Sequence, residues 1–463
     1  MPFIGDQALF YLPARDIVTK GVIPLVGPET SHPWIHHGAH WTYVLAIILW
    51  VFNFNPVPPA YFIAILGVVT VWLLYKVSGE LFSRRIALIA AFLYATSPLI
   101  VLNSRMPYHT SPIPFFTVLL FFAVYRWIKG GAYYFPLITF LVGVLYNHEL
   151  TTFVLSIPIF ILLLYGFFRK KIWVKRILNK KIIIYSVLSF LVPMIPFIVY
   201  DVSHGYKQTV GFIMWVLYRI IKFPLNIFSF NEESFGAQEL FSLDFLIYIK
   251  QLIFLPNLLF SLAIFAFSLV YFFYLMYRKV KSKDVSIGYA LLFLYLIIPI
   301  AGLFVHRVPI EADTLLMSPF IIMVIAVFLG KLYSLNLLKF PVAIGVGMII
   351  LLNAYSLLST DYLTKMGEGS RISFRERLEA VDTVLKIAGG KKFNLVGRGE
   401  LSDFPMFTMN YEYLLWWKGH LSVKEDVDLK IVVWEKNGEI VVYQEKIKNQ
   451  SFDKLRTKIK NAN

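Results

Sequence analysis

The sequence predicts an all-α polytopic membrane bundle of about ten spans plus an interfacial helix, followed by a small soluble α/β domain. Composition is the first observation behind this. Of 463 residues, 58% are hydrophobic and 16% charged, where soluble domains carry roughly 45–50% apolar and about 25% charged residues. The second is that apolar runs of spanning length recur, with a mean hydropathy of +0.67. The third is that the chain turns charged only after Leu358. A soluble enzyme, a disordered chain and a disulfide-stapled scaffold are excluded. The absence of cysteine also removes thiol nucleophiles and thiolate metal sites.

Residues 1–58 form the first unit, an external N-terminal loop with an interfacial helix. Its apolar stretch His40–Asn55 is read as interfacial or re-entrant, because counting it as a span would reverse the charge bias of every later loop. Trp34, Trp41, Tyr43 and Trp50 are rings suited to that position, and Asn55-Pro56-Val57-Pro58-Pro59 stops the helix. Met1–Gln7 has neither a basic n-region nor an apolar h-region, so no signal peptide is expected there.

Residues 59–358 form the membrane unit, with spans near 59–77, 86–102, 113–128, 133–147, 150–168, 182–200, 252–277, 287–305, 313–330 and 340–358. Alternate loops collect Arg84, Arg85, Arg126, Lys129, the run from Arg169 to Lys181, Arg278, Lys279, Lys331 and Lys339, against only Glu80 and Asp284 as acids. Positive-inside bias makes those loops cytoplasmic. The formal charge of +16 is therefore an orientation signal, and no nucleic-acid partner is expected. Residues 359–463 form the third unit, an extracytoplasmic α/β domain. It has a helical pattern at Ser373–Ala388, a strand-like run Phe393–Val396, and a hairpin Leu429–Glu435 and Glu439–Glu445 turned at Asn437-Gly438.

Every histidine except His420 falls in the loops read as external. This asymmetry points to a polar cavity on that side, since ionisable residues at helix ends are functional candidates. Asp6 is one candidate, with helix N-capping as its plain alternative. The run His32-Pro33-Trp34-Ile35-His36-His37-Gly38-Ala39-His40 offers imidazole ligands but lacks the H-E-x-x-H spacing, so interfacial histidines are the competing reading. Arg105 suits either phosphate binding or headgroup anchoring. His148-Glu149 and His306-Arg307 are each read as a buried structural pair or as part of a site. His109, Glu29, Asp201 and His204 complete the set. Asn449-Gln450-Ser451 fits a glycosylation sequon, and Trp416-Trp417-Lys418-Gly419 reads as core.

The order of these features resembles the GT-C superfamily of membrane glycosyltransferases. The resemblance rests on an acid in Gly5-Asp6-Gln7-Ala8-Leu9-Phe10-Tyr11 and a His/Pro/Gly loop with its amphipathic helix. Next come an apolar hairpin, Tyr61–Pro98, and then Ser104-Arg105, with Tyr200-Asp201-Val202-Ser203-His204-Gly205-Tyr206 later in the chain. The layout over residues 1–358 is most similar to the protein O-mannosyltransferase and lipid A aminoarabinose transferase group (glycosyltransferase family 39-like). Members usually carry a spanning helix before the first external acid, whereas five residues precede Asp6 here. Relatives often have an Asp within the loop Arg105–Thr110, which here offers Tyr108 and His109. The oligosaccharyltransferase W-W-D-Y-G signature loses its Asp and Tyr in Trp416-Trp417-Lys418-Gly419, which disfavours an asparagine-glycosylating role.

The resemblance implies a multi-pass protein of the plasma membrane, embedded in the lipid bilayer, with a polyprenyl-phosphate sugar as donor. Transfer to a hydroxyl acceptor takes place on the outer face. Asp6 is then the base that deprotonates the hydroxyl, and attack opposite the phosphate inverts the anomeric carbon. Arg105, His306 and Arg307, with His109 and His204, hold the phosphate leaving group. Glu29, His148, Glu149 and Asp201 are candidates for acceptor contact or support. The sequence leaves the sugar, hexose or pentose, and any metal requirement unknown. The rival class is a transporter or flippase of lipid-linked sugars, in which polar residues should also line mid-membrane positions.

Overall fold

The computed structural model describes residues 3–30, 34–228, 244–306, 314–363, 372–399, 401–425 and 427–445. The chain opens with helix α1 (Gly5–Lys20), the strands β1 (Val26–Glu29) and β2 (His36–Gly38), and helix α2 (His40–Val51). The membrane helices follow as α3 (Pro58–Leu81), α4 (Arg84–Ala95), α5 (Pro98–Asn103), α6 (Ile113–Ile128), α7 (Tyr134–His148), a 3₁₀ turn at Leu150–Leu155, α8 (Ser156–Phe168), α9 (Ile172–Ile177) and α10 (Lys180–Ser203). Then come α11 (Lys207–Phe228), α12 (244–253), α13 (Leu258–Lys281), α14 (Ile287–His306), α15 (Ser318–Tyr333) and α16 (Lys339–Ser359).

Among the described residues, six helical segments are long and apolar enough to cross a membrane: Pro58–Leu81, Leu150–Phe168, Lys180–Ser203, Leu258–Lys281, Ile287–Val305 and Lys339–Ser359. The protein is an integral membrane protein, but ten full-length spans are not reached on this measure. Helices α4, α6, α7 and α15 have 12, 16, 15 and 16 residues, short of the roughly 20 that a hydrocarbon core requires. Burial accounts for part of this. In α15 nearly every residue from Ser318 to Leu329 is buried, as expected for a helix apolar all round and enclosed by neighbours. The outer helices α13 and α16 instead expose Leu259, Phe267, Leu351 and Leu358. The expected span 86–102 is broken at Thr96-Ser97-Pro98, because proline sits at the first turn of α5 and ends the preceding helix. The expected span 252–277 starts later, at Leu258, where Asn257 accepts the Phe260 amide as N-cap after Pro256.

Helix α2 has 12 residues and is bounded by Asn53 and Phe54 at φ 49° and 60°. The left-handed backbone ends it before the proline cluster is reached.

Downstream, α17 (Phe374–Ala388) opens with a capping box, Ser373 with Glu376, and closes on Gly389 in the left-handed conformation. Three strands make one sheet in the order β3 (Asn394–Gly399), β4 (Lys430–Lys436), β5 (Glu439–Glu445), the first pair parallel and the second antiparallel. Helix α18 (Met409–Trp417) lies between β3 and β4 in the chain. Asn437 and Gly438 turn the hairpin at φ 53° and 77°, the two positive values that a type I′ turn demands. The strand expected at Phe393–Val396 runs three residues further, because β4 pairs with it as far as Gly399.

This C-terminal sheet region shares a hydrophobic core with the start of the chain. Phe3, Phe10, Tyr11, Trp41 and Leu45 pack with Tyr411, Tyr413, Leu414, Val433 and Val442. Phe3 stands edge-on to Tyr11 and Tyr413. The Asn410 side chain donates to the Phe3 carbonyl at 3.3 Å, and the Tyr413 hydroxyl donates to that of Phe54 at 2.9 Å. A methyl group on Gly5 would lie 2.2 Å from the Met406 carbonyl oxygen, so only glycine lets α1 approach this closely. Each buried aromatic here contributes about 1.5–3 kcal/mol of transfer free energy.

Candidate active site

Helix α1 presents the first acid. The Gln7 side chain accepts from the Ile4 amide at 2.8 Å, and Gly21 closes the far end at φ 67°. Asp6 lies in the first turn, where the exposed amides of a helix favour a carboxylate; it is not the N-cap, a position held by Ile4. Asp6 and Phe10 are one turn apart and share a face. The Phe10 ring stacks on His109 with centroids 4.8 Å apart and an interplanar angle of 27°. Burial pushes the Asp6 carboxyl up, and the nearby His109 partly opposes it.

Opposite Phe10, three side chains from three elements converge. His109 Nε2 lies 3.4 Å from Glu149 Oε2, and His37 Nδ1 lies 3.5 Å from the same oxygen. The His37 and His109 rings are 4.5 Å apart. His37 belongs to β2, His109 to the loop between α5 and α6, and Glu149 follows the last residue of α7. All three ligand atoms lie within 4.8 Å of one another. Burial would raise the Glu149 carboxyl, but His37 and His109 outweigh it and hold the group below the usual range. Burial pulls His37 down to about 4, although Glu149 draws it the other way.

The supports explain why these residues meet. Gly38 packs on α7 so tightly that a Cβ would fall 2.0 Å from Asn147 Oδ1. The Asn147 amide in turn donates to the Gly143 and Pro193 carbonyls. The His148 ring donates from Nδ1 to the His109 carbonyl at 2.7 Å and stacks against Phe116. Ser111 fixes the His109 loop through the Met106 carbonyl. The backbone of His36 is clamped from both sides by the Gln208 amide group.

The other expected residues divide. Arg105 lies four residues before His109, half-buried, and its guanidinium makes no hydrogen bond or ion pair among the described residues. Asp201 serves α11, accepting from the Gln208 and Thr209 amides and the Thr209 hydroxyl; through Gln208 it also steadies His36. Exposed Glu29 pairs with His36 at 3.5 Å. His204 is exposed, stacked on Tyr200 and bonded to the Tyr200 carbonyl, so the structure does not bring it to His109. Among the described histidines of the run, His37 alone joins Glu149; His40 lies near the Pro193 carbonyl. His306 ends α14, but its side chain, together with Arg307, His32 and Asn449-Gln450-Ser451, lies outside the described residues. Sequence reasoning passed over Phe10, Asn147, Gln208 and Gly38. Only Phe10 carries an advance signal, its i+4 spacing from Asp6.

An apolar cavity of about 380 Å³ begins beside Glu149, at Leu150 and Thr151. It runs between the 3₁₀ turn, α11 and α14, and Phe153, Phe212, Trp215, Pro299 and Leu303 line it.

Against this geometry, residues 36–200 match the family described as dolichyl-phosphate-mannose-protein mannosyltransferase. That segment holds His37, Arg105, His109, His148 and Glu149. Solved structures that share the fold include two with different ligands. ArnT from Cupriavidus metallidurans, bound to undecaprenyl phosphate, is 10% identical with a TM-score of 0.58, over 93% of this chain and 89% of its own. The Archaeoglobus fulgidus oligosaccharyltransferase, in complex with Zn and sulfate, is 14% identical with a TM-score of 0.55, over 89% of this chain. The chain spans 58% of that protein's length. No curated protein matches the chain by sequence. The resemblance to GT-C membrane glycosyltransferases is borne out by the family match and these neighbours.

Proposed function

We propose that this GT-C-type membrane protein moves a sugar from a polyprenyl-phosphate donor to a hydroxyl acceptor, with inversion at the anomeric carbon. The observation that carries the reading is the convergence of Asp6, His109, His37 and Glu149 at one end of a membrane bundle, with an apolar cavity starting at the next residue. Asp6 acts as the base that takes the acceptor proton. Its half-buried position near His109 suits a carboxylate that must hold and release a proton. The leaving phosphate is a stable anion and needs no general acid; it needs fixed positive charge. Arg105 supplies that charge from the His109 loop, with His306 and Arg307 as further donors. The prenyl chain lies in the cavity between α11 and α14. Residues 1–58 and 359–463 build the acceptor side around the membrane unit 59–358.

Orientation follows from the opposite end. Arg126 meets Glu80, and Arg176 meets the Gly130 carbonyl, at the ends of helices remote from Glu149. Basic loops at that end suit the cytoplasmic side, which leaves the site facing outward from the plasma membrane.

Purified full-length protein in vesicles, given a radiolabelled polyprenyl-phosphate sugar, tests the reading. Transfer to an acceptor hydroxyl, or release of free sugar, is the expected result. Asp6→Asn should lower turnover by about 10²–10⁴-fold at unchanged yield. Unchanged turnover in that variant removes Asp6 from the mechanism. Label that crosses the bilayer with its glycosidic bond intact overturns transfer in favour of a flippase.

A further inference from the structure

We propose that His37, His109 and Glu149 bind one divalent transition metal ion of the zinc class, leaving a coordination position open to substrate. Donor chemistry is the first ground. Two imidazoles and one carboxylate make a nitrogen-rich set that suits zinc and its neighbours, whereas magnesium and calcium prefer oxygen throughout. Three protein ligands with a free fourth position is the arrangement of catalytic rather than structural zinc.

Distances are the second ground. Glu149 Oε2 stands 3.4 Å from His109 Nε2 and 3.5 Å from His37 Nδ1. Charge-assisted N–H···O bonds run about 2.7–2.9 Å, so neither contact is a good one. Ligand atoms about 2.0–2.1 Å from a shared tetrahedral ion are separated by roughly 3.3–3.4 Å, close to both values. His37 Nδ1 is buried and has no hydrogen-bond partner. All three ligand atoms lie within 4.8 Å of one another.

Burial is the third ground. Glu149 is 5% exposed and His109 3%, and among the described residues no lysine or arginine pairs with Glu149. A carboxylate so placed costs several kcal/mol unless a cation compensates it. Rigid surroundings complete the argument. Gly38 against Asn147 fixes His37, the His148 ring holds the backbone of His109, and Phe10 stacks on its ring. When bound, the ion supplies positive charge beside Asp6 and the donor phosphate. Metal binding is measured without turnover, so it stands or falls apart from the transferase reading.

The test uses full-length protein purified on a histidine-free tag, stripped with chelator and dialysed against Zn²⁺ or Co²⁺. One equivalent of metal per chain is expected by elemental analysis. The Co²⁺ form should show a visible d–d spectrum without a thiolate charge-transfer band, because the chain has no cysteine. Glu149→Gln and His109→Ala should each weaken binding at least tenfold, with elution volume and circular dichroism unchanged. His36→Ala, next to His37 but engaged with Glu29, should keep the full equivalent. Stoichiometry well below one in wild type overturns the proposal. So does affinity unchanged in Glu149→Gln and His109→Ala, or lost equally in His36→Ala.

Discussion

At one end of the bundle Glu149 lies 5% exposed between two imidazoles; at the other, Glu80 meets Arg126 at 2.7 Å with about a third of each side chain open to its surroundings. The open pair is worth about 0–1 kcal/mol. The buried carboxylate carries a desolvation cost, and it is held below the usual range mainly because His37 and His109 are placed against it. The open pair tolerates loose placement, whereas the buried carboxylate depends on the exact position of its two imidazoles. The same contrast holds in the supports. Near Glu149, glycine, asparagine and histidine fix single side chains in place, whereas the basic residues of α9 and its flanks lie mostly on the surface. One end is arranged to position groups, the other to carry charge.

Substitutions at the two ends sharpen this contrast. After Asp6→Asn, the largest effect is expected from Gly38→Ala, whose methyl group meets Asn147 and displaces His37. Overpacking of this kind costs about 1–3 kcal/mol. Turnover should fall by more than tenfold while circular dichroism in detergent is preserved; wild-type turnover would show that the position of His37 is irrelevant. Arg105→Ala comes next. A lost phosphate contact of roughly 1.5–3 kcal/mol should raise the KM for the donor by more than tenfold, measured against polyprenyl-phosphate sugar, and Arg105→Lys should recover part of it.

The pH profile is a subtler probe. Burial raises Asp6, and a carboxylate in the proposed role of base acts only when deprotonated. Turnover should therefore fall with decreasing pH at values above the ordinary aspartate range near 4. Asp6→Glu should retain an acid limb and Asp6→Asn should lose it. The smallest effect belongs to the basic end, where Arg126→Ala should leave turnover within about twofold and cost under about 1 kcal/mol in thermal unfolding. A large catalytic loss there would dissolve the distinction between the ends.

Several parts of this arrangement are legible in the sequence. Asn437-Gly438 announces its hairpin because few residue pairs accept two positive φ values. The sorting of Lys and Arg between loops predicts a polarity for the bundle, and the histidines crowded into the other loops include His37 and His109, which the fold brings together. Asp6, His109 and Glu149 stand out as ionisable groups beside apolar runs. Their partnership does not. His109 and Glu149 are 40 residues apart, and nothing local selects His37 over His36 or His40. That choice is made by Gly38 against Asn147 and by Gln208 reaching from α11. Asp201 is equally opaque: its neighbours in sequence suggest a site, whereas its carboxylate receives the amides of the next helix and reaches His36 only through Gln208. Short buried helices such as α15 have the hydropathy of full spans, because hydropathy alone does not distinguish lipid from protein as the apolar surroundings.

Closure of the chain upon itself has a consequence for biogenesis. The bond from Asn410 to Phe3 joins residues 407 apart. At about 5–20 residues per second, the ribosome needs roughly 20–80 s to deliver the partner of α1. Throughout that interval Phe3 and Tyr11 lack the Tyr413 ring that both meet edge-on in the folded chain. Nascent or prematurely terminated polypeptides thus leave α1 without its aromatic partners from α18 until that helix is translated.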